Sequence, residues 1–277
     1  MDLWIRAHNY INTYEDVLSG KWFLMTSPVP VLVTSGLYLY AVIVLLPDYM
    51  KNREPFEFRK LIIFYNFLQV LLNIWLFYGI LPGGLDALHC YPDKTEHCDN
   101  GETSEQTKGY SYYFHLSKYT DLIDTIIFLL RKKYSQVSVL HVYHHSTMPF
   151  WTWMCVKYNP CGRLTFHALL NSFVHIVMYT YYLLSAFGPR IRKYVWWKKY
   201  VTMCQMVQLV LTSLHAAQSA IYGCNVFLIL SVLNSVQSTI YLILFWFFYK
   251  QAYKKDDIQK EIIGDYQEVN YKKYKTN

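Results

Sequence analysis

The sequence predicts an all-α integral membrane protein with seven transmembrane helices. Three observations carry that prediction. Only 16% of the 277 residues are charged and 53% are hydrophobic, whereas a soluble domain carries about 25% charged residues. Seven apolar stretches run along the chain, each close to the roughly twenty residues that cross a bilayer. Lys and Arg gather on alternate connections between those stretches, as the positive-inside rule requires. Together these make residues 1–277 one membrane domain, with residues 1–27 on the lumenal side and residues 250–277 as a cytosolic tail.

In order, the spans are about Val29 to Leu46, Leu61 to Leu81, Tyr112 to Leu130, Val137 to Val156, Leu164 to Phe187, Lys199 to Tyr222 and Val226 to Tyr249. Pro28, Pro47, Pro82 and Pro189 fall at the ends of runs, where a missing N–H is tolerated. Basic residues cluster in Met50 to Lys60, Arg131 to Lys133, Arg190 to Lys199 and the tail from Lys250. The opposite connections hold only Arg6, Lys21, Lys94, Lys108, Lys157 and Arg163. An odd number of spans agrees with termini on opposite sides, the tail in the cytosol. The net charge of +7 is therefore a topology signal, and no basic helix or aromatic RNA-binding motif points to nucleic acid. Met1 to Gly20 lacks the apolar core of a cleaved signal peptide.

The same orientation puts Cys90, Cys98, Cys161 and Cys224 in an oxidising lumen, where a disulfide can persist. A bond from Cys224 to the Pro82 to Tyr110 loop would tie that loop down, but spacing alone leaves connectivity open. Lys273 and Lys275, third and fifth from the end, resemble the dilysine signal that retrieves membrane proteins to the endoplasmic reticulum.

Several spans are interrupted by polar groups. His141, His144 and His145 lie three and four apart and so share one helix face. Imidazoles are costly in hydrocarbon, which predicts that this face looks into a protein interior or a watery cavity. At the helical rise, His144 and His145 lie ~12–14 Å from the cytosolic edge, Asp121 and Asp124 ~10–15 Å, and Lys118 ~20 Å. His175 lies ~20 Å deep, Asn171 ~25 Å, and Gln205 and Gln208 ~9–14 Å on the same count. Helix glue should scatter in depth, and these groups share one slab. His115, His167 and His215 stand apart and are expected to be structural.

A neutral imidazole in a dry site is a nucleophile or a general base, and amide donors can hold a developing oxyanion. That combination suits acyl transfer. The alternative is a di-iron histidine-box membrane oxygenase of the desaturase or hydroxylase kind. Such enzymes use several boxes, whereas this chain carries a single HxxHH, so no metal site is expected.

The order and spacing of four motifs is decisive. Lys118-x-x-Asp121-x-x-Asp124-Thr125, His141-x-x-His144-His145, Asn171-x-x-x-His175-x-x-Met178-Tyr179-x-Tyr181-Tyr182 and Thr202-x-x-Gln205-x-x-Gln208 resemble the very-long-chain fatty acid elongase (ELO) family. One departure is that Asp121 stands where the family usually has Glu. The resemblance implies six helices forming a barrel around an enclosed substrate tunnel, with the first helix peripheral. It implies a 3-oxoacyl-CoA synthase, an acyltransferase joining a long-chain acyl-CoA to malonyl-CoA in the endoplasmic reticulum membrane. No cofactor is expected, since acyl-CoA and malonyl-CoA are substrates. The expected partners are these thioesters, the lipid bilayer and other enzymes of the elongation cycle, with a homodimer open. His144, His145, His141, His175 and Asn171 are the implied catalytic residues, and Lys118, Asp121, Asp124, Tyr179, Gln205 and Gln208 bind or orient substrate. A family-like disulfide would join Cys224 to Cys90.

Overall fold

The computed structural model describes residues 21–89, 102–160, 162–222 and 228–275, of which 102, 103, 192, 220 and 254–275 are described in backbone only. Cys90, Cys98, Cys161 and Cys224 lie outside the described residues, as does most of the expected lumenal N-terminus. Among the described residues the structure is all-helical, without a strand.

Seven helices of twenty residues or more are described: α1 (Val29–Met50), α2 (Arg59–Asp86), α3 (Glu102–Leu130), α4 (Val139–Tyr158), α5 (Thr165–Ala186), α6 (Lys198–Ile221) and α7 (Leu228–Lys275). Four of them, α1, α2, α5 and α7 (over Leu228–Tyr253), are long and apolar enough to cross a membrane. The others are long enough, at about 30 Å or more by helical rise, but too polar to qualify by composition. The reason is the residues that interrupt them: Lys118, Asp121 and Asp124 in α3, the histidine turn in α4, and Gln205 and Gln208 in α6.

The burial pattern fits a lipid-facing exterior. Leu32, Leu37, Ile43, Phe64, Leu214 and Phe247 are exposed, while Lys118, Asp121, Asp124, Asn171 and His175 are buried. That inverts the arrangement of a soluble protein, in which unpaired charge goes outward.

Two prolines expected at span ends lie inside helices instead. α1 continues through Pro47 because a π-helical turn, Ala41–Leu45, widens the helix ahead of it. The extra width gives the pyrrolidine ring room against the preceding turn. α2 runs through Pro82, which removes only one hydrogen bond close to the helix end.

The helices pack in pairs. α2 lies along α5 most extensively, and α6 lies along α7. Contacts also join α2 to α3, α3 to α4, α4 to α7 and α5 to α6, while α1 packs against α4. Leu76, Ile80, Phe114 and Leu169 fill the junction of α2, α3 and α5. Met148, Trp151, Leu209, Leu230 and Tyr241 fill that of α4, α6 and α7. α2 approaches its neighbours closely at Gly79, where a Cβ would overlap the Tyr110 ring, and at Gly84, where it would meet Leu169.

The N-terminal end of α2 and the C-terminal end of α5 are pinned together by one side chain. Arg59 Nε donates to Ala186 O at 3.1 Å, and Arg59 Nη2 donates to Phe187 O. These carbonyls lie at the negative end of α5, where a cation is favoured. The chain then turns at Gly188 with φ of 96° and ψ of −171°, a conformation open essentially to glycine alone. Gly188→Ala is expected to destabilise the fold by about 1–3 kcal/mol. The measurement is the apparent Tm of the detergent-solubilised protein beside the wild type.

Candidate active site

α4 begins at Ser138, whose Oγ accepts from the His141 backbone N–H at 3.2 Å. This N-cap is worth about 1 kcal/mol and fixes the helix one turn before the histidines. The His141 and His145 ring centroids lie 4.1 Å apart, and those of His144 and His145 5.3 Å. All three are half-buried, and a fourth ring, that of Tyr241 on α7, lies 5.0 Å from His144. Tyr241 is held in turn by Thr147 Oγ1 at 2.7 Å. Pro149, four residues beyond His145, leaves that residue's carbonyl without its helical donor. The hydroxyl of Thr147 donates to the neighbouring carbonyl of Tyr143 at 2.7 Å.

His141 is oriented from outside its own helix. Its Nε2 lies 2.8 Å from Thr125 Oγ1, which lies 2.8 Å from the Tyr38 hydroxyl. α1, through Tyr38, thereby sets a ring of the histidine turn by way of α3. Thr125→Val keeps the shape and removes the relay. It should lower turnover about tenfold, the worth of one hydrogen bond, and lower the Tm modestly, because the buried Tyr38 hydroxyl loses its partner.

Opposite the histidines, α2, α3 and α5 build a polar network. Lys118 Nζ donates to Asp121 Oδ2 and to Asn171 Oδ1, each at 3.0 Å. The Tyr179 hydroxyl lies 2.8 Å from Asp124 Oδ2 and 3.1 Å from Asp121 Oδ1, and so has both carboxylates within donating range. Gln69 Nε2 donates to Asp121 Oδ1 at 3.2 Å and to the Tyr65 hydroxyl at 2.9 Å. Buried charge needs this density of partners, because each unpaired group would cost several kcal/mol.

His175 Nδ1 stands 3.8 Å from Asp121 Oδ2, just beyond a hydrogen bond. His144 and His145 both lie within electrostatic reach of Lys118, Asp121 and His175. The structure thus brings His141, His144, His145, Lys118, Asp121, Asp124, Asn171, His175 and Tyr179 into one neighbourhood.

Gln205 and Gln208 are set apart from it. Gln205 Nε2 contacts Met178 Sδ at 3.4 Å and Gln208 is buried, but among the described residues no hydrogen bond joins either to the network. Both extend from α6, which meets α5 rather than α3. Asp124 is held within the network by Tyr179.

His115 and His215 have partners of their own. His115 pairs with Thr152 Oγ1 at 2.9 Å and His215 Nε2 with Ala87 O at 2.7 Å. Among the described residues no three His, Cys, Asp or Glu side chains are placed to hold one metal ion.

Sequence reasoning passed over Tyr38, Tyr65, Gln69 and Tyr241. A signal existed for Gln69, because Asn66, Gln69 and Asn73 recur at helical spacing through an otherwise apolar run. Tyrosines gave none, since belts of them flank most spans.

Apolar helices around a buried cluster of ionisable side chains define a multi-pass membrane protein with an internal polar site. The GNS1/SUR4 (ELO) family profile matches residues 23–261. The chain is 42% identical to very long chain fatty acid elongase 7 of Drosophila melanogaster, over 88% of this chain and 74% of that protein. It is 42% identical to elongase 7 of Rattus norvegicus, over 85% and 84% of the two chains. With human elongase 1 it shares 39% identity over 88% and 91%. The chain belongs to the ELO family.

Proposed function

We propose that the protein is the condensing enzyme of a fatty acid elongation cycle, a very-long-chain 3-oxoacyl-CoA synthase. It joins a long-chain acyl-CoA to malonyl-CoA, releases CO₂ and CoA, and yields a 3-oxoacyl-CoA two carbons longer. Family membership supports the class of reaction. The observation that carries the mechanism is the proximity of the α4 histidines to the network of Lys118, Asp121, Asn171 and Tyr179.

In the proposed sequence His144 Nε2 attacks the acyl thioester carbon. The C–S bond breaks, and CoA leaves with a proton passed on from His144 Nδ1 by His145 or His141. Malonyl-CoA then loses CO₂, and the resulting enolate carbon attacks the acyl-imidazole. The C–N bond breaks, and the departing His144 imidazole takes up a proton from solvent, relayed by His145 or His141. Lys118 holds Asn171 by its carbonyl oxygen, which leaves the amide N–H₂ to donate to the developing oxyanion. His175, facing Asp121, serves the same charge. Each donor aimed at that charge is worth about 3–4 kcal/mol of barrier. Gln208 and Gln205 line the approach of the thioester.

The helix contacts run α2–α3–α4–α7–α6–α5 and return to α2, which supports a six-helix barrel around a tunnel with α1 outside. A dry tunnel protects the acyl-imidazole from water. The basic connections Arg131 to Lys133 and Arg190 to Lys199 are suited to CoA phosphates at the cytosolic mouth. The distribution of Lys and Arg supports seven spans with a lumenal N-terminus and a cytosolic tail, and Lys273 and Lys275 in that tail support the endoplasmic reticulum membrane.

The test is incorporation of labelled malonyl-CoA by the purified protein across acyl-CoA chain lengths. Two-carbon-longer 3-oxoacyl products are expected. Stoichiometric iron without malonyl incorporation would overturn elongation in favour of a membrane oxygenase.

A further inference from the structure

α2 buries three amide side chains, Asn66, Gln69 and Asn73, in an otherwise apolar run. Two of them are spent on their own helix. Asn66 Nδ2 donates to Ile62 O and Asn73 Nδ2 to Gln69 O, each at 2.8 Å and four residues back. Gln69 instead reaches across to α3 and α5. Its Nε2 lies 2.9 Å from the Tyr65 hydroxyl, 3.2 Å from Asp121 Oδ1, 3.3 Å from Thr120 Oγ1 and 3.5 Å from the Tyr179 hydroxyl.

These neighbours fix which way the amide points. Thr120 Oγ1 donates to Ser117 O at 2.7 Å, and the Tyr65 hydroxyl donates to Thr120 O at 3.1 Å. Each hydroxyl has one proton, so both oxygens are left to accept. An ionised Asp121 only accepts, and a reversed amide would set an oxygen against its carboxylate. Tyr179 has one proton to share between Asp124 Oδ2 at 2.8 Å and Asp121 Oδ1 at 3.1 Å. Given to the nearer carboxylate, that proton leaves Gln69 as the donor to Asp121 Oδ1.

We propose that Gln69 is a positioning residue of the condensing site, which sets the rotation of the Asp121 carboxylate from α2. The inference rests on the elongation reading. With Oδ1 tied to Gln69, Oδ2 is presented to Lys118 Nζ at 3.0 Å and faces His175 Nδ1 at 3.8 Å. Lys118 in turn holds Asn171. Released from Gln69, the carboxylate is free to turn, because its terminal torsion has a broad profile. Lys118, Asn171 and His175 then lose their common reference, and small misplacements of such groups cost rate. Among the described residues no hydrogen bond joins Gln69 to a histidine. Gln69 therefore acts through Asp121 and not on the substrate.

The experiment measures kcat and KM for malonyl-CoA incorporation against pH in the wild type, Gln69→Leu and Gln69→Glu, with Tm beside them. Gln69→Leu is near in volume and has no donor. It should lower kcat about 10- to 100-fold, the worth of a hydrogen bond to a charged group. Its KM for acyl-CoA should stay within about twofold of the wild type. Gln69→Glu keeps the shape but donates only when protonated, and when ionised it repels Asp121. The groups facing position 69 are Tyr65 on α2, Asp121 with Lys118 and Asp124 beside it on α3, and Tyr179 on α5. Taken relative to the wild type at each pH, kcat of Gln69→Glu should therefore be highest at the acid end. It should fall about tenfold or more as pH rises. A merely structural role would not produce that recovery in acid. Wild-type kcat in Gln69→Leu overturns the proposal, as does a Gln69→Glu ratio that does not change with pH. The second criterion decides alone where Gln69→Leu does not fold. Absence of malonyl incorporation by the wild type overturns the elongation reading itself, and is seen before any variant is compared.

Discussion

Replacing His144 by alanine is expected to reduce malonyl-CoA incorporation by at least about 1,000-fold, near 4 kcal/mol of barrier at 1.36 kcal/mol per tenfold. The loss should come with little change in Tm, because His144 has no hydrogen bond to a side chain among the described residues and packs edgewise on His145 and at a tilt on Tyr241. Covalent and direct mechanisms separate here. Incubated with acyl-CoA alone, the wild type should release free CoA and carry an acyl group on the α4 peptide, seen by mass spectrometry. His144→Ala should show neither. Wild-type protein that forms no adduct and releases no CoA in this half-reaction uses the histidines only as bases in a ternary complex. His145→Ala should slow acylation yet leave the adduct detectable, since a proton carrier is easier to bypass than a nucleophile.

The second large effect is expected at Lys118, which reaches both Asp121 and Asn171 from the buried face of α3. Lys118→Met leaves the Asp121 carboxylate without its countercharge and should cost about 3–5 kcal/mol of stability. The double variant Lys118→Met, Asp121→Leu removes both charges and should recover much of that stability. It should not recover turnover, because Asn171 loses the contact that turns its amide. A double variant as unstable as the single one, measured by thermal unfolding in detergent, would show that the pair does not act as a unit. Asp121→Glu is informative beside them. The Asp121 carboxylate already accepts from Lys118 and Gln69, so the shorter side chain reaches its partners, and the longer one must displace Tyr179 or move toward His175.

Much of the helix order was legible from apolar runs, and their positions agree with α1 to α7 to within a turn at most ends. The exceptions have local causes. α1 extends past Pro47 through its π-helical turn, α2 runs on to Asp86, α3 starts ten residues early in the polar segment from Glu102, and α7 continues to Lys275, far past the apolar run that ends at Tyr249. Neither hydropathy nor proline position encodes a widened turn or a polar helical extension.

What the sequence by itself determined is the class of protein and the set of chemically active groups. Periodicity places three histidines on one face, and spacing along α3 and α5 places Lys118, Asp121, Asn171 and His175 at comparable depth. Those facts depend only on helix geometry, which is the same in any protein. Which of the groups touch was decided by tertiary structure alone. Lys118 could have paired within its helix and no further; the packing of α3 against α2 and α5 brings it to Asn171 and brings Gln69 to Asp121. Packing also handed Asp124 to Tyr179, gave His141 to Thr125 and left His167 without a partner. The physical reason is that depth along a helix follows from counting residues, whereas a contact between helices depends on their rotation and separation, which many side chains set jointly.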